Sequence, residues 1–458
     1  MKQRSSIAIM WNLGIARLCL LLVCGIAPDN LAAQPAPAPS HGAQELNQLG
    51  IGHLQNKEYQ AAIDSFRKAL EIQPDYVEAM DNLGRALAAE GKDKAAVGEF
   101  KKAIKLAPDD ARLQSALGRT LFHERKFEES AEAYRKAIAI HENFPEAYNG
   151  LGAAVLSLGK TNEAVAAFQK AAALDPKNAD ALNNLGSALV GEQRGSEAIP
   201  YLQSALNLKP DASDIQENYA QALQQAGRTD EAIAISQKIV AQRPDDAIGW
   251  ATLGHFLYAN KQYDEAETSF QKSLALKADQ PETESALGAA FLAQGKGKDT
   301  IQAFEKSLAL KPDDPNTLYN LGTAYQDQKE YEKAVASYQK ALKIKPNFYQ
   351  ALAGLAASEL TANKLDSAIA SYKKLIAIQP DDAGFRFNLG TALFNKGNYK
   401  AAAESYREAI RLKPDLAHAH YNLGMSLLRL NDDQGARAAF EQAKKLDPSL
   451  NPPAIASK

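Results

Sequence analysis

The sequence predicts an all-α architecture: an α-solenoid superhelix of twelve helix-turn-helix repeats, each 34 residues long. Three observations predict it. Proline recurs on a 34-residue grid, at Pro74, Pro108, Pro176, Pro210, Pro244, Pro312, Pro346, Pro380, Pro414 and Pro448. Each interval carries two amphipathic stretches with apolar residues at three- and four-residue steps, the period of a helix and not of a strand. The repeats also consume nearly the whole chain, residues 43–450 of 458, so the usual reading of such a length as about three compact domains does not apply.

The first element is the leader, 1–33. It carries Lys2, Arg4 and Arg17, a short apolar run from Leu18 to Ala27, and small residues at Ala32 and Ala33. That layout is a secretory signal peptide, with cleavage expected after Ala33. The apolar run is shorter than the roughly 20 residues that span a bilayer, so no stable membrane insertion is expected after cleavage. An uncleaved N-terminal anchor is the alternative. The expected location is periplasmic or extracellular. Both cysteines, Cys19 and Cys24, lie in the leader, so the processed chain has no disulfide and no thiolate. Residues 34–42, opening QPAPAPS, read as an extended Pro/Ala linker.

Repeats follow at 43–76, 77–110, 111–144, 145–178, 179–212, 213–246, 247–280, 281–314, 315–348, 349–382, 383–416 and 417–450, then a tail, 451–458. The two grid points without proline, Glu142 and Ala278, each have one three residues later, Pro145 and Pro281. In the ninth repeat the helices are expected at roughly 317–328 and 332–344. The turn between helices carries Gly91, Gly159, Gly227, Gly295, Gly397, Asn363 or Asn431, residues that suit a left-handed helix stop. Asp75, Asp109, Asp245, Asp313 and Asp381 follow the grid prolines and are expected to cap the next helix.

Place eight is glycine in most repeats (Gly50, Gly84, Gly118, Gly152), place seven leucine in all but one (Tyr219), place twenty mostly alanine (Ala62, Ala164, Ala334), and place twenty-four mostly aromatic (Phe66, Phe100, Tyr134, Phe168). This small–large–small pattern resembles the tetratricopeptide repeat family, over about nine-tenths of the chain. Small residues let the two helices of a hairpin approach, and the aromatic fills the gap. One hairpin cannot bury its apolar face alone, whereas stacked neighbours can.

Net charge is -3, and about -5 once the leader's +2 is removed. No basic face marks a nucleic-acid binder. No phosphate loop, nucleophile elbow or zinc motif is present, so neither catalysis nor a cofactor is expected. His418 and His420 sit two apart on one helix and point different ways. Trp250 at place four is expected in the core.

The resemblance implies that places two, six, nine and thirteen of each first helix line the concave, ligand-facing side. Place six is Asn82, Asn184, Asn218, Asn320, Asn388 and Asn422. An amide both donates and accepts, so such a row suits an extended peptide backbone. It resembles the asparagine ladder in the repeat region of O-linked N-acetylglucosamine transferases. Ala116, Gly150, Thr252, Ala286 and Gly354 interrupt it, and Gln48 nearly matches it. Arg85, Arg112, Arg119 and His123 form a second cluster suited to carboxylates. It is similar to the carboxylate clamp of chaperone-binding relatives, with Asn82 and Arg112 on matching places.

Repeats six and ten lose signature residues (Tyr219, Ala220, Ser236, Ile239; Ala356, Glu359), and a looser joint is expected near either. Glu359 takes a usually buried place and is expected to be partly exposed or paired. With no further helix after 450, the last helix is expected to expose some of Ala436, Ala439, Phe440 and Ala443, which invites end-to-end self-association. The reading is a non-catalytic exported scaffold for a protein or peptide ligand. The alternatives are the recognition component of a glycosyltransferase system catalysed by a separate chain, and an end-stacking structural protein.

Overall fold

The computed structural model describes residues 39–453; the leader and most of the linker lie outside the described residues. Among the described residues the secondary structure is 24 α-helices, from α1 (His41–Gln55) to α24 (Asp433–Leu446), numbered in chain order so that each repeat pairs an odd helix with the following even one. The ninth repeat contains α17 (Pro315–Asp327) and α18 (Tyr331–Ile344), within two residues of expectation. The first helix starts at His41, inside the stretch expected to be linker. None of the described helices is long and apolar enough to cross a membrane.

The chain divides into two compact units that meet in sequence at Gln242 and Arg243, the end of the sixth repeat. Each unit stacks six helical hairpins. Within a unit every helix packs on the next, and first helices also touch those of neighbouring repeats, which is how a repeat array buries its apolar faces.

The turn inside each hairpin is set by one residue with positive φ. The seven glycines and asparagines expected there all adopt it, at φ values from 58° to 84°. Lys57, Arg125, Gln193, Lys261 and Lys329 adopt it too, with φ near 60°. The left-handed stop is therefore a property of the place; the five long side chains accept some backbone strain there.

The capping expectation is displaced by one residue. The first aspartate after a grid proline sits in the turn, and the next residue caps where it too is aspartate; Tyr76, Ala212 and Leu416 at that place make no side-chain cap. Asp110 accepts from the Arg112 amide at 2.9 Å, Asp246 from the Ile248 and Gly249 amides at 3.1 Å, and Asp382 from the Phe385 amide at 2.9 Å. A cap needs extended backbone with its oxygen reaching the second or third helical amide, and Asp75, Asp109, Asp245, Asp313 and Asp381 lie one step too early. Pro145, Pro281 and Pro315 instead occupy the first helical turn, where a missing N–H costs nothing.

The core is built as the sequence pattern requires. A Cβ on Gly84 would lie 2.7 Å from the Phe100 ring, so only glycine lets the hairpin close at this separation. Phe66, Phe168, Phe270 and Phe304 are fully buried, each contributing on the order of 2–3 kcal/mol through apolar burial.

Two expectations, for Trp250 and for the last helix, are corrected, and that for Glu359 is decided between its alternatives. Trp250 is only half-buried, its Nε1 donating to the Pro244 carbonyl at 3.0 Å with the Lys272 ammonium 4.1 Å above the ring. Of the two alternatives for Glu359 the second holds: it is buried and takes a hydrogen bond from the Ser371 hydroxyl at 2.7 Å. Burial raises its pKa, partly offset by that hydrogen bond. Ala436, Ala439, Phe440 and Ala443 are all buried, because they form the face of α24 turned onto α23 (Ala417–Arg429). The outer face shows Arg437, Glu441, Lys444 and Lys445 instead, so the last helix serves as its own polar cap. The four apolar residues offer no sticky end.

Candidate functional site

The first-helix stripe divides chemically between the two units. In the N-terminal unit the place-six asparagines bond across repeats. Asn82 donates to the Asn47 side-chain oxygen at 3.0 Å, Asn184 to Asn149 at 3.0 Å, and Asn218 to Asn183 at 2.9 Å. The acceptor is always place five of the preceding repeat. Two of these acceptors pass the chain on to an acidic residue at place two of the next repeat: Asn47 donates to Glu78 at 3.1 Å and Asn183 to Asp214 at 2.9 Å. These asparagines therefore tie one repeat to the next, and each spends an amide hydrogen doing so. Asn47, Asn149 and Asn183 escaped the sequence reading, although pairing of asparagines 35 residues apart is visible in the sequence.

The breaks in the row have a cause. At Gly150 a Cβ would meet the Tyr134 ring at 2.2 Å, and at Gly354 the Tyr338 ring at 2.6 Å. In both cases the place-twenty-four tyrosine of the preceding repeat lies against the glycine; Tyr372 and Tyr406 stand ahead of Asn388 and Asn422 in the same way, so the close approach of the ring, and not the tyrosine as such, sets these two positions.

The arginine cluster is largely satisfied locally. Arg85 Nε lies 3.0 Å from both oxygens of Asp81, one helical turn back. Arg112 forks onto Asp110 at 2.9 and 3.2 Å. Burial acts to raise the Asp110 pKa, but the Arg112 guanidinium and amide outweigh it and hold the carboxyl low. Arg119 is half-buried, runs beside the buried Tyr134 and has no hydrogen-bond or ion-pair partner among the described residues. His123 is exposed.

In the C-terminal unit place five is no longer asparagine. It is Ala251, Ser285, Tyr319, Ala353, Phe387 and Tyr421, and the aromatic ones stack on core rings, as Tyr319 does on Phe348 at 5.1 Å and Phe387 on Tyr406 at 5.7 Å. The relay is therefore absent there. Asn320 is 7% exposed and Asn388 half-buried, and the amides of both lack partners among the described residues. Asn422 is held by the Tyr406 hydroxyl. At place nine His255 packs edge-on against Phe270 at 4.9 Å, and burial pushes its pKa down to about 3. His418 is exposed, while His420 is half-buried against the Pro414 carbonyl at 2.9 Å. Among the described residues, no three His, Cys, Asp or Glu side chains are grouped to hold a metal ion.

Such a stripe can form hydrogen bonds and ion pairs with an extended ligand. Stacked helical hairpins whose apolar groups go into stacking, and whose polar groups line one face of the first helices, define a helical repeat array. The chain belongs to the tetratricopeptide repeat family: family models described as tetratricopeptide repeat or TPR repeat match 53–120, 118–159, 156–191, 189–255, 223–290, 290–329, 315–348, 353–417 and 387–451. Among solved structures the chain is similar to MamA from Desulfovibrio magneticus RS-1, at 24% identity over 37% of this chain and 96% of that one, with a TM-score of 0.36. It is similar to YrrB, a TPR protein with an unusual peptide-binding site, at 18% identity over 39% and 93%, with a TM-score of 0.37. It is also similar to the Cut9–Hcn1 hetero-tetramer of the APC/C, at 15% identity over 89% and 94%, with a TM-score of 0.37. No curated protein matches the sequence significantly.

Proposed function

We propose that this protein is an exported, non-catalytic scaffold that holds a protein or peptide along the first-helix stripe of its repeats. The observation that carries the reading is the set of polar side chains on that stripe left without partners, Asn320 and Asn388 in one unit and Arg119 in the other. Their polar atoms are open to solvent and not sealed in the fold, so a ligand backbone or carboxylate can take up hydrogen bonds that the fold leaves to water. The bonded asparagines, Asn82, Asn184 and Asn218, keep their side-chain oxygens as acceptors but act chiefly as ties between repeats. Export rests on the leader sequence and is tested by N-terminal sequencing of the processed chain, expected to begin at Gln34.

The binding experiment is capture from envelope extract by the full chain, set beside Asn320→Ala/Asn388→Ala, Arg119→Ala and Asn184→Ala/Asn218→Ala. A partner held by the wild type and lost with either of the first two variants, at unchanged thermal midpoint, supports the reading. A partner held equally by all four proteins refutes recognition along this stripe.

A further inference from the structure

On the other side of the first helices, the C-terminal unit carries a groove of about 480 Å³ between α14 (Tyr263–Leu276) and α16 (Gly297–Leu310), floored by α15 (Pro281–Gln294). Leu274, Leu287 and Phe291 give it apolar walls, and Glu284 lies in its floor. Glu284 and its groove neighbours Leu287 and Phe291 hold places four, seven and eleven, the helix face opposite places two, six, nine and thirteen. This site is therefore separate from the stripe discussed above.

Glu284 is 8% exposed, and its Oε2 is buried with no hydrogen-bond partner. Lys306, across the groove, acts on it only at a distance and makes no ion pair with it. Other repeats show why this carboxylate stands alone. At the same place Gln216, Trp250 and His420 sit 2.8 to 3.0 Å from the carbonyl oxygens of Pro210, Pro244 and Pro414, six residues back. A carboxylate has no hydrogen to offer that carbonyl. One repeat further on, a groove of about 450 Å³ is internally satisfied. Leu318 takes the place of Glu284, and the Tyr325 hydroxyl donates to Glu305 at 2.6 Å. A buried, unpaired carboxylate is costly unless a charge-assisted partner reaches it.

We propose that the α14–α16 groove binds a basic side chain of a partner protein, with the aliphatic stem against Leu274, Leu287 and Phe291 and the cationic head on Glu284. The chemistry of the walls favours this over a small anion or a neutral lipid. Phe291 already carries the Lys296 ammonium 5.5 Å from its ring centroid, so it serves here as an apolar wall, and Leu274 and Leu287 suit a methylene chain.

The test uses the full chain and two probes of the same shape, N-acetyl-lysine amide and N-acetyl-norleucine amide, read by methyl NMR shifts of Leu274 and Leu287. Three proteins are compared: wild type, Glu284→Gln and Lys306→Met. The lysine probe is expected to shift both methyls saturably, and the norleucine probe at least about tenfold more weakly, the scale of one charge-assisted contact. Glu284→Gln is expected to abolish that preference at an unchanged or higher thermal midpoint, because glutamine can donate to the carbonyl as Gln216 does. Lys306→Met is expected to tighten lysine binding by removing a competing cation. Equal response to both probes overturns the proposal, as does an undiminished response in Glu284→Gln. So does a fall in thermal midpoint shared by Glu284→Gln and Lys306→Met without probe binding, which would make Lys306 the internal partner of Glu284.

Discussion

Replacing Gly150 by alanine isolates the tightest packing relation in the N-terminal unit. Gly150 lies in α7 (Pro145–Ser157), where an added Cβ would sit 2.2 Å from Tyr134 Cζ, 2.4 Å from Cε1 and 2.6 Å from the hydroxyl. Ordinary contact begins near 3.4 Å, so the ring must retreat by more than an ångström. It is 3% exposed and has little room to do so. Gly98 in α4 (Asp93–Leu106) is the matched control, since a Cβ there meets nothing within 4 Å. Alanine gains about 1 kcal/mol over glycine in either helix interior. Overpacking opposes that gain only at Gly150, by about 1–3 kcal/mol. Gly98→Ala should therefore stabilise, and Gly150→Ala should fall about 1–3 kcal/mol below it. Urea denaturation at constant slope reads the difference as a midpoint shift. Adding Tyr134→Leu should recover most of the loss specific to Gly150→Ala, because Leu202 already holds that place ahead of Asn218 in another repeat. Equal midpoints for the two alanine variants, or no coupling with Tyr134→Leu, would refute the claim that the close approach of the Tyr134 ring requires glycine at 150.

Glu359→Gln should raise the stability of the chain at neutral pH by about 1–3 kcal/mol, since a buried charge is removed while the Ser371 hydroxyl keeps an acceptor. Because burial raises the Glu359 pKa, the folded wild type binds more protons than the unfolded chain above the ordinary glutamate value. Its stability falls as pH rises through that window, and the glutamine variant should lack the fall in a pH series of thermal midpoints. His255 works the other way: with its pKa pushed down to about 3, the unfolded chain takes up a proton that the folded one refuses, so stability drops as pH falls from about 6.5 towards 3, and His255→Gln should flatten that limb. Asn183→Ala should cost about 1–2 kcal/mol by cutting two inter-repeat hydrogen bonds, whereas Asn388→Ala should leave the midpoint within about 0.5 kcal/mol. Sedimentation of the full chain should show no concentration-dependent polymer that is abolished by Phe440→Ser, because Phe440 is buried within its own hairpin.

The fold was legible because its signals repeat. A glycine at one place, an aromatic sixteen residues on and a turn residue between them are each weak alone, but the same offsets recurring through the chain leave only one architecture that buries them all. What escaped was whatever depends on the neighbouring repeat. The place-six asparagines read as a free ladder because a residue's own repeat does not show that place five of the preceding repeat supplies an oxygen at 2.9–3.0 Å. Gly150 and Gly354 read as gaps because the tyrosine that fills them comes from the repeat before. Phe440 read as exposed because the lack of a further helix after 450 was expected to uncover it, whereas it is buried within its own hairpin. Place-by-place consensus thus locates the core, but polar chemistry in a repeat array is decided by residues about 35 apart. The candidate site has to be read along the array: bonded repeat to repeat where place five is asparagine, and without that relay where aromatic or small residues replace it.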